Sequence, residues 1–247
     1  MPTTAVDLRI DDGIAWVTLD GPDTRNALDA TAADALTAAC DAIDQDAGVG
    51  VAIVTGAGSA FCSGADTAVL NTLRSAHADE IYEGLDTLYE AFRRVGQLAV
   101  PTIAAVNGAA VGAGVNLALA TDLRIFASGA QLISGFSRIG LHPGGGHLHL
   151  LTRAGGHGTA AAAGVFAQPI DADTALRTGV AWAVVPPEQL HETVEKVCAH
   201  LAGDPALARA LAATLRRTAT DDAAWDRSIE IERARQMWSL TRTSREV

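Results

Sequence analysis

The chain has 247 residues, enough for one large domain or two small ones. Hydrophobic residues make up 49% and charged residues 19%, which supplies a sizeable core and excludes a chain disordered throughout. A net charge of −11, from 18 Lys and Arg against 29 Asp and Glu, argues against nucleic acid and polybasic membrane-surface partners, since both need clustered cations.

Met1-Pro2-Thr3-Thr4 has neither the basic nor the apolar segment of a secretion signal. Val6–Ile10 alternates apolar and polar, Asp11-Asp12-Gly13 supplies a turn, and Ile14–Leu19 resumes the strand, which predicts a hairpin. Gly21-Pro22-Asp23 breaks the run. Asp29 or Thr31 can cap a helix through about Ile43. Val49–Thr55 is nearly all apolar, as in a strand buried on both faces, and the Gly/Ser-rich stretch Gly56–Gly64 after it reads as a loop. An amphipathic helix follows over 79–95. A second buried strand, Thr102–Val106, ends at Asn107-Gly108, and a helix begins near Gly112–Asn116. Asp122–Ala127 and Gln131–Ile133 are short strands. Asp171 and Asp204-Pro205 start helices, and 206–217 and 222–239 have helical periodicity. The longest apolar run, Ala109–Ala120, is shorter than the about 20 residues of a membrane span, so no membrane partner is expected. Strands alternating with helices, then helices alone, predict an α/β core with a helical tail.

Cys40, Cys62 and Cys198 are odd in number and far apart, so neither a disulfide framework nor a Cys-x-x-Cys metal site is indicated, and reduced thiols in a cytoplasmic protein are expected. A weak internal rhythm of buried strand, glycine-rich loop and helix runs over 51–66 and again over 102–117. Such a junction leaves backbone N–H groups without intrahelical acceptors. Two readings stay open on spacing alone: close helix–sheet packing, or Gly64-Ala65-Asp66 and Gly112-Ala113-Gly114 each presenting one N–H to a common anion. Gly108, Gly112 and Gly114 have the wrong order of gaps for a dinucleotide site, and no lysine follows a glycine as a P-loop requires.

The segments Asn26-Ala27-Leu28, Ala60-Phe61-Cys62-Ser63-Gly64-Ala65-Asp66 and Pro101–Gly108 resemble the crotonase superfamily, the enoyl-CoA hydratase/isomerase family. So do Gly112-Ala113-Gly114, Ala120–Arg124 and Gly140-Leu141-His142-Pro143-Gly144-Gly145-Gly146. The resemblance spans about residues 5–245. It implies an α/β fold, a crotonase-like spiral of ββα repeats over 1–190 with a helical C-terminal region over 191–247 used in oligomerisation. It implies homotrimers or hexamers (dimers of trimers) and acyl-CoA as the ligand, with no metal and no redox cofactor, because enolate chemistry needs neither. The residues it marks as enolate donors are the N–H groups of Ala65 and Ala113. It places Cys62, Gly64, Asp66, Gly112, Phe136, Pro143 and Gly144 around the substrate.

Two positions depart from the family pattern. Hydratases of this family resemble one another in two glutamates, one two residues after the last glycine of the second loop and one seven residues before the loop proline; these positions hold Asn116 and Phe136. The residue after the loop proline, where other members place a carboxylate, is Gly144. The remaining candidates for proton transfer are His142, beside Pro143, and more weakly His147 and His149 on the helix that follows. Cys62 has no basic neighbour in sequence and is not a candidate nucleophile. Asn116 can bond a substrate carbonyl or an ordered water. Relatives run on into a final helix near the CoA nucleotide, whereas Ser244-Arg245-Glu246-Val247 closes this chain, which implies fewer nucleotide contacts or contacts from a neighbouring subunit. The expectation is an acyl-CoA enzyme with unusual proton handling, with decarboxylase, thioesterase or binding-only variants as alternatives.

Overall fold

The computed structural model describes residues 3–219 and 222–241; the first two residues and Ser244–Val247 of the sequence reading lie outside them. Strand β1 (Ala5–Asp11) pairs antiparallel with β2 (Ile14–Asp20), Leu8 opposite Val17, as the hairpin pattern predicts. Helix α1 (Ala30–Gln45) starts at Asp29, whose side chain accepts the Ala32 N–H at 2.8 Å. Its apolar stripe, Ala32, Leu36, Ala39 and Ile43, is buried.

The rhythm noticed in the sequence resolves into repeated pairs of strands. Strand β3 (Val51–Gly56) is followed by β4 (Ala60–Cys62), and β5 (Thr102–Val106) by β6 (Ala109–Val111). In the same way β7 (Leu123–Ala127) is followed by β8 (Gln131–Ile133). The first of each pair enters one sheet, ordered β1-β2-β3-β5-β7-β10, where β10 is Ala183–Val185. The second enters another, ordered β4-β6-β8-β9, where β9 is Ile170–Asp171. Within the first sheet every pairing beyond the hairpin is parallel. This is why β3 and β5 are nearly continuous apolar runs: both of their faces are covered.

The stretch Gly56–Gly64 is therefore not all loop. β4 is too short to show a period of its own and forms because β6 offers it a parallel ladder. Asn26, fully buried with φ +58°, ties this segment down: its Nδ2 donates to the carbonyls of Ala57 at 2.9 Å and Ala60 at 2.8 Å, and its Oδ1 accepts the Gly21 N–H. Helix α2 (Thr67–Arg74) packs on α3 (Ala78–Gly96), α3 packs on α1 and α4 (Ala113–Ala120), and α4 packs on β4 and β6 and is buried along most of its length. Helix α5 (His147–Ala160) and the short α6 (Ala172–Arg177) follow. The C-terminal helices are α7 (Leu190–Ala202), α8 (Pro205–Ala219) and α9 (Asp222–Leu240). Among the described residues no helix is long and apolar enough to cross a membrane.

Candidate active site

The two strand-to-helix junctions lie against one another. In the first, Leu28 forms an isolated parallel bridge with Ala65: the Leu28 N–H donates to the Gly64 carbonyl and the Asp66 N–H to the Leu28 carbonyl, both at 2.8 Å. A parallel bridge uses the groups on either side of Ala65, so Ala65's own N–H faces away from Leu28. In the second, Gly112 (φ +52°) donates to the Ile133 carbonyl at 2.9 Å and α4 begins at Ala113, whose N–H belongs to the first, unpartnered turn. Contact between the junctions is close enough to demand glycine. A Cβ on Gly64 would stand 2.4 Å from the Val111 carbonyl oxygen and 3.3 Å from the Ala113 nitrogen, and one on Gly114 2.2 Å from the Cys62 carbonyl oxygen.

A cavity of about 340 Å³ opens at this contact. Of the residues marked from sequence, Gly64, Ala65, Gly112, Ala113, Asn116, Phe136 and Gly144 line it. Leu85, Leu88, Tyr89 and Phe92 of α3 and Leu70 of α2 form its apolar wall, Gln236 of α9 closes one side, and Arg138 is the cation among its lining residues. Four marked residues are not in the lining. Cys62 is fully buried below the loop, its sulfur accepting the Gly64 N–H, and desolvation pushes its thiol up to about 12. Asp66 caps α2, accepting the Ala68 N–H at 2.6 Å. Pro143 is buried outside the lining, next in sequence to Gly144, which is in it. His142 is turned away: its ring Nδ1 bonds the Pro143 carbonyl at 2.6 Å and its backbone N–H donates to Ser239 Oγ at 2.8 Å. His142 does not line the cavity.

His147, the first residue of α5, does not line it either, but bonds two residues that do, Asn116 and Ser134. It is fully buried, and burial alone pushes its imidazole down to about 3. Its Nδ1 lies 2.6 Å from Asn116 Oδ1 and its Nε2 2.7 Å from Ser134 Oγ. Phe136 stands edge-on to the ring, with centroids 4.9 Å apart. Asn116 also donates from Nδ2 to the Gly144 carbonyl at 2.9 Å. Ser134, at the end of β8, lines the cavity beside Phe136 and carried no signal in the sequence. Among the described residues no Asp or Glu lines the cavity, and no three His, Cys, Asp or Glu side chains gather as metal ligands.

A larger cleft, about 690 Å³, lies at the far end of α4 between Asp122, Arg124, Arg153, Arg216 and Trp225. Its arginines are engaged with the protein itself: Arg124 donates to the Val180 and Thr121 carbonyls, Arg153 to Leu119, and Arg216 to Val100 and Asp122. The smaller cavity is the one lined by both strand-to-helix junctions and by Ser134, whose hydroxyl bonds a buried imidazole.

Two sheets built from successive strand pairs, with both strand-to-helix junctions lining one apolar cavity, match the spiral ββα fold of the crotonase superfamily. The chain belongs to the enoyl-CoA hydratase/isomerase family, whose model matches residues 9–244. It is 41% identical over 213 residues to a Mycobacterium tuberculosis protein named "Probable enoyl-CoA hydratase EchA14", covering 86% of this chain and 82% of that one. It is 32% identical to the 1,2-epoxyphenylacetyl-CoA isomerase of Escherichia coli, covering 79% and 75%. A solved enoyl-CoA hydratase of Mycobacterium avium subsp. paratuberculosis superposes with a TM-score of 0.84 at 30% identity, over 98% of this chain and 96% of that one.

Proposed function

We propose that the chain is an acyl-CoA enzyme of the hydratase/isomerase type, which holds a thioester carbonyl oxygen between the N–H groups of Ala65 and Ala113. The observation that carries this reading is the close approach of the two junctions, where a Cβ on Gly64 would crowd the Val111 carbonyl and the Ala113 nitrogen, at the head of an apolar cavity. Removing a proton next to a thioester carbonyl pushes charge onto its oxygen. Fixed N–H donors at that oxygen stabilise the charge without reorganising, each by about 2.7–4 kcal/mol. The α3 wall receives the acyl chain. No metal or redox cofactor is called for, because the charge is carried by backbone donors. With Asn116 and Phe136 where hydratases carry glutamates, the two-carboxylate hydration mechanism is not available, and a reaction needing one base fits better. The α8 leucines Leu207, Leu211 and Leu215, each about half exposed, support assembly through the 191–247 region as a homotrimer or dimer of trimers.

Infrared difference spectroscopy of butyryl-CoA labelled with ¹³C at the carbonyl tests the reading. Bound ligand should show its carbonyl stretch shifted to lower wavenumber. Ala113→Pro removes one N–H at a first helical position, where proline is tolerated, and should abolish most of the shift. A bound thioester with an unshifted carbonyl would sink the proposal.

A further inference from the structure

We propose that Ser134, His147 and Asn116 form a proton relay that opens on the cavity at Ser134 Oγ, where it removes and returns a proton on the carbon next to the thioester carbonyl. The proposal rests on the thioester reading above and supplies the base which that reading leaves unnamed.

Its direction is fixed by one hydrogen bond. Asn116 Nδ2 donates to the Gly144 carbonyl, so the amide nitrogen faces that way and Oδ1 faces the imidazole. An amide oxygen carries no hydrogen, so His147 Nδ1 must carry one. Nε2 is left with its lone pair, and the Ser134 hydroxyl, 2.7 Å away, must donate to it. The serine proton thus already points at a base, and the base is oriented by a third side chain. This order of hydroxyl, imidazole and orienting group is the one that activates hydroxyls in acyl-transfer enzymes.

The cavity offers no comparable base. Apart from Arg138, the other titratable side chain in the lining is Tyr89, whose hydroxyl is bonded to Gln236 and whose acidity is weakened by burial. His147 is desolvated and accepts a proton only when negative charge develops close by, which the enolate oxygen between Ala65 and Ala113 provides. The two groups bonded to the ring, Asn116 and Ser134, are both neutral, and the Glu232 carboxyl meets the backbone N–H of His147 and not its ring. The step balances without water or a co-reactant. The C–H bond breaks, its electron pair enters the enolate, its proton goes to Ser134 Oγ, and the serine proton passes to Nε2. In the return step Nε2 gives its proton back to Oγ, which delivers one to carbon. Return to the same carbon is exchange; return two carbons along an unsaturated chain is double-bond migration.

The test uses butyryl-CoA, which is saturated and cannot be hydrated, incubated with the full chain in D₂O. Deuterium entering the carbon next to the carbonyl is read by mass spectrometry, alongside affinity and the carbonyl infrared shift. Ser134→Ala should lower the exchange rate 10²–10⁴-fold with affinity and carbonyl shift retained. Ser134→Thr keeps a hydroxyl and should retain exchange. His147→Gln keeps an acceptor for the serine but cannot take its proton; it should lose exchange and keep the carbonyl shift, which a merely structural role would not spare. Wild-type exchange unaltered by Ser134→Ala would overturn the relay. So would binding with a shifted carbonyl but no exchange, or an acyl adduct on Ser134. A wild-type chain that neither binds the thioester nor shifts its carbonyl overturns the thioester reading first, and the relay with it.

Discussion

Glu232, on the last helix, accepts the backbone N–H of His147 at 2.7 Å, so the C-terminal helix holds the first residue of α5 in place. Its other oxygen takes the Leu148 N–H at 3.0 Å. One face of α9 runs along the whole loop before α5. Trp225 Nε1 donates to the Gly145 carbonyl, Gln236 meets the Tyr89 hydroxyl, and Ser239 accepts from His142. The spacing of these residues, with Ile229, is that of a single helical stripe. The helical tail therefore holds Gly144, which lines the cavity, and His147, which lies buried behind Ser134; among the described residues of the tail, Gln236 lines the cavity itself.

The carboxyl of Glu232 should make stability depend on pH. Burial outweighs the N–H donors and Ser228 and pushes it up from its ordinary 4.5 to about 7. A carboxyl raised on folding binds its proton more tightly in the folded state. Its contribution is therefore most favourable below about pH 4.5, falls as pH rises toward 7, and is flat above that. The total is about 3 kcal/mol at about 1.4 kcal/mol per unit. Thermal melts from pH 5 to 8 should show a drop in wild type that Glu232→Gln flattens. Equal slopes in the two proteins would exclude Glu232 as the source.

The hairpin, the caps Asp29 and Asp171 and the glycine-rich junctions were legible because each depends on local chemistry: a turn, a side-chain acceptor, a backbone that excludes Cβ. β4 and β6 were not, because three residues carry no period and only the neighbouring strand makes them strands. The cavity lining followed the motifs at Gly64, Ala65, Gly112, Ala113, Asn116, Phe136 and Gly144. His142 is not in that lining. His142 and His147 flank the same loop, and which one bonds the lining residues Asn116 and Ser134 depends on the turn of the chain through Gly145 (φ +73°) and Gly146 (φ +76°). Ser134 gave no signal at all. Its bond to His147 exists only because the fold brings the end of β8 beside the start of α5.

Asn116 bonds two buried partners, so Asn116→Ala should cost about 2–4 kcal/mol by leaving the Gly144 carbonyl and the His147 Nδ1–H unsatisfied. Chemical denaturation measures this. A loss under about 0.5 kcal/mol would mean that water replaces the amide at both ends.

Cys40, Cys62 and Cys198 are buried, and desolvation pushes all three thiols up to about 12. A thiol–disulfide reagent acts on the thiolate. The folded chain at pH 8 should show no fast-reacting thiol, and the denatured chain should release all three at once. Rapid labelling of Cys62 in the folded protein would show that the loop above it opens.

Gly64→Ala should damage the site more than the fold. Gly64 has φ +89°, which costs an L-residue about 1–2 kcal/mol, and its new methyl would meet the Val111 carbonyl oxygen at 2.4 Å. Backbone on both sides must separate, and the first atoms to move are the Ala65 and Ala113 nitrogens. A displacement of about 1 Å in a positioned group costs on the order of 10²-fold in rate. The expected result is a chain that melts a few degrees lower, binds butyryl-CoA, and loses both the carbonyl shift and most of the deuterium exchange. Gly129→Ala, where no atom lies within 4 Å of the added Cβ, is the control for a glycine without a neighbour. If Gly64→Ala kept the carbonyl shift of wild type, the two junctions would not be the carbonyl's donors.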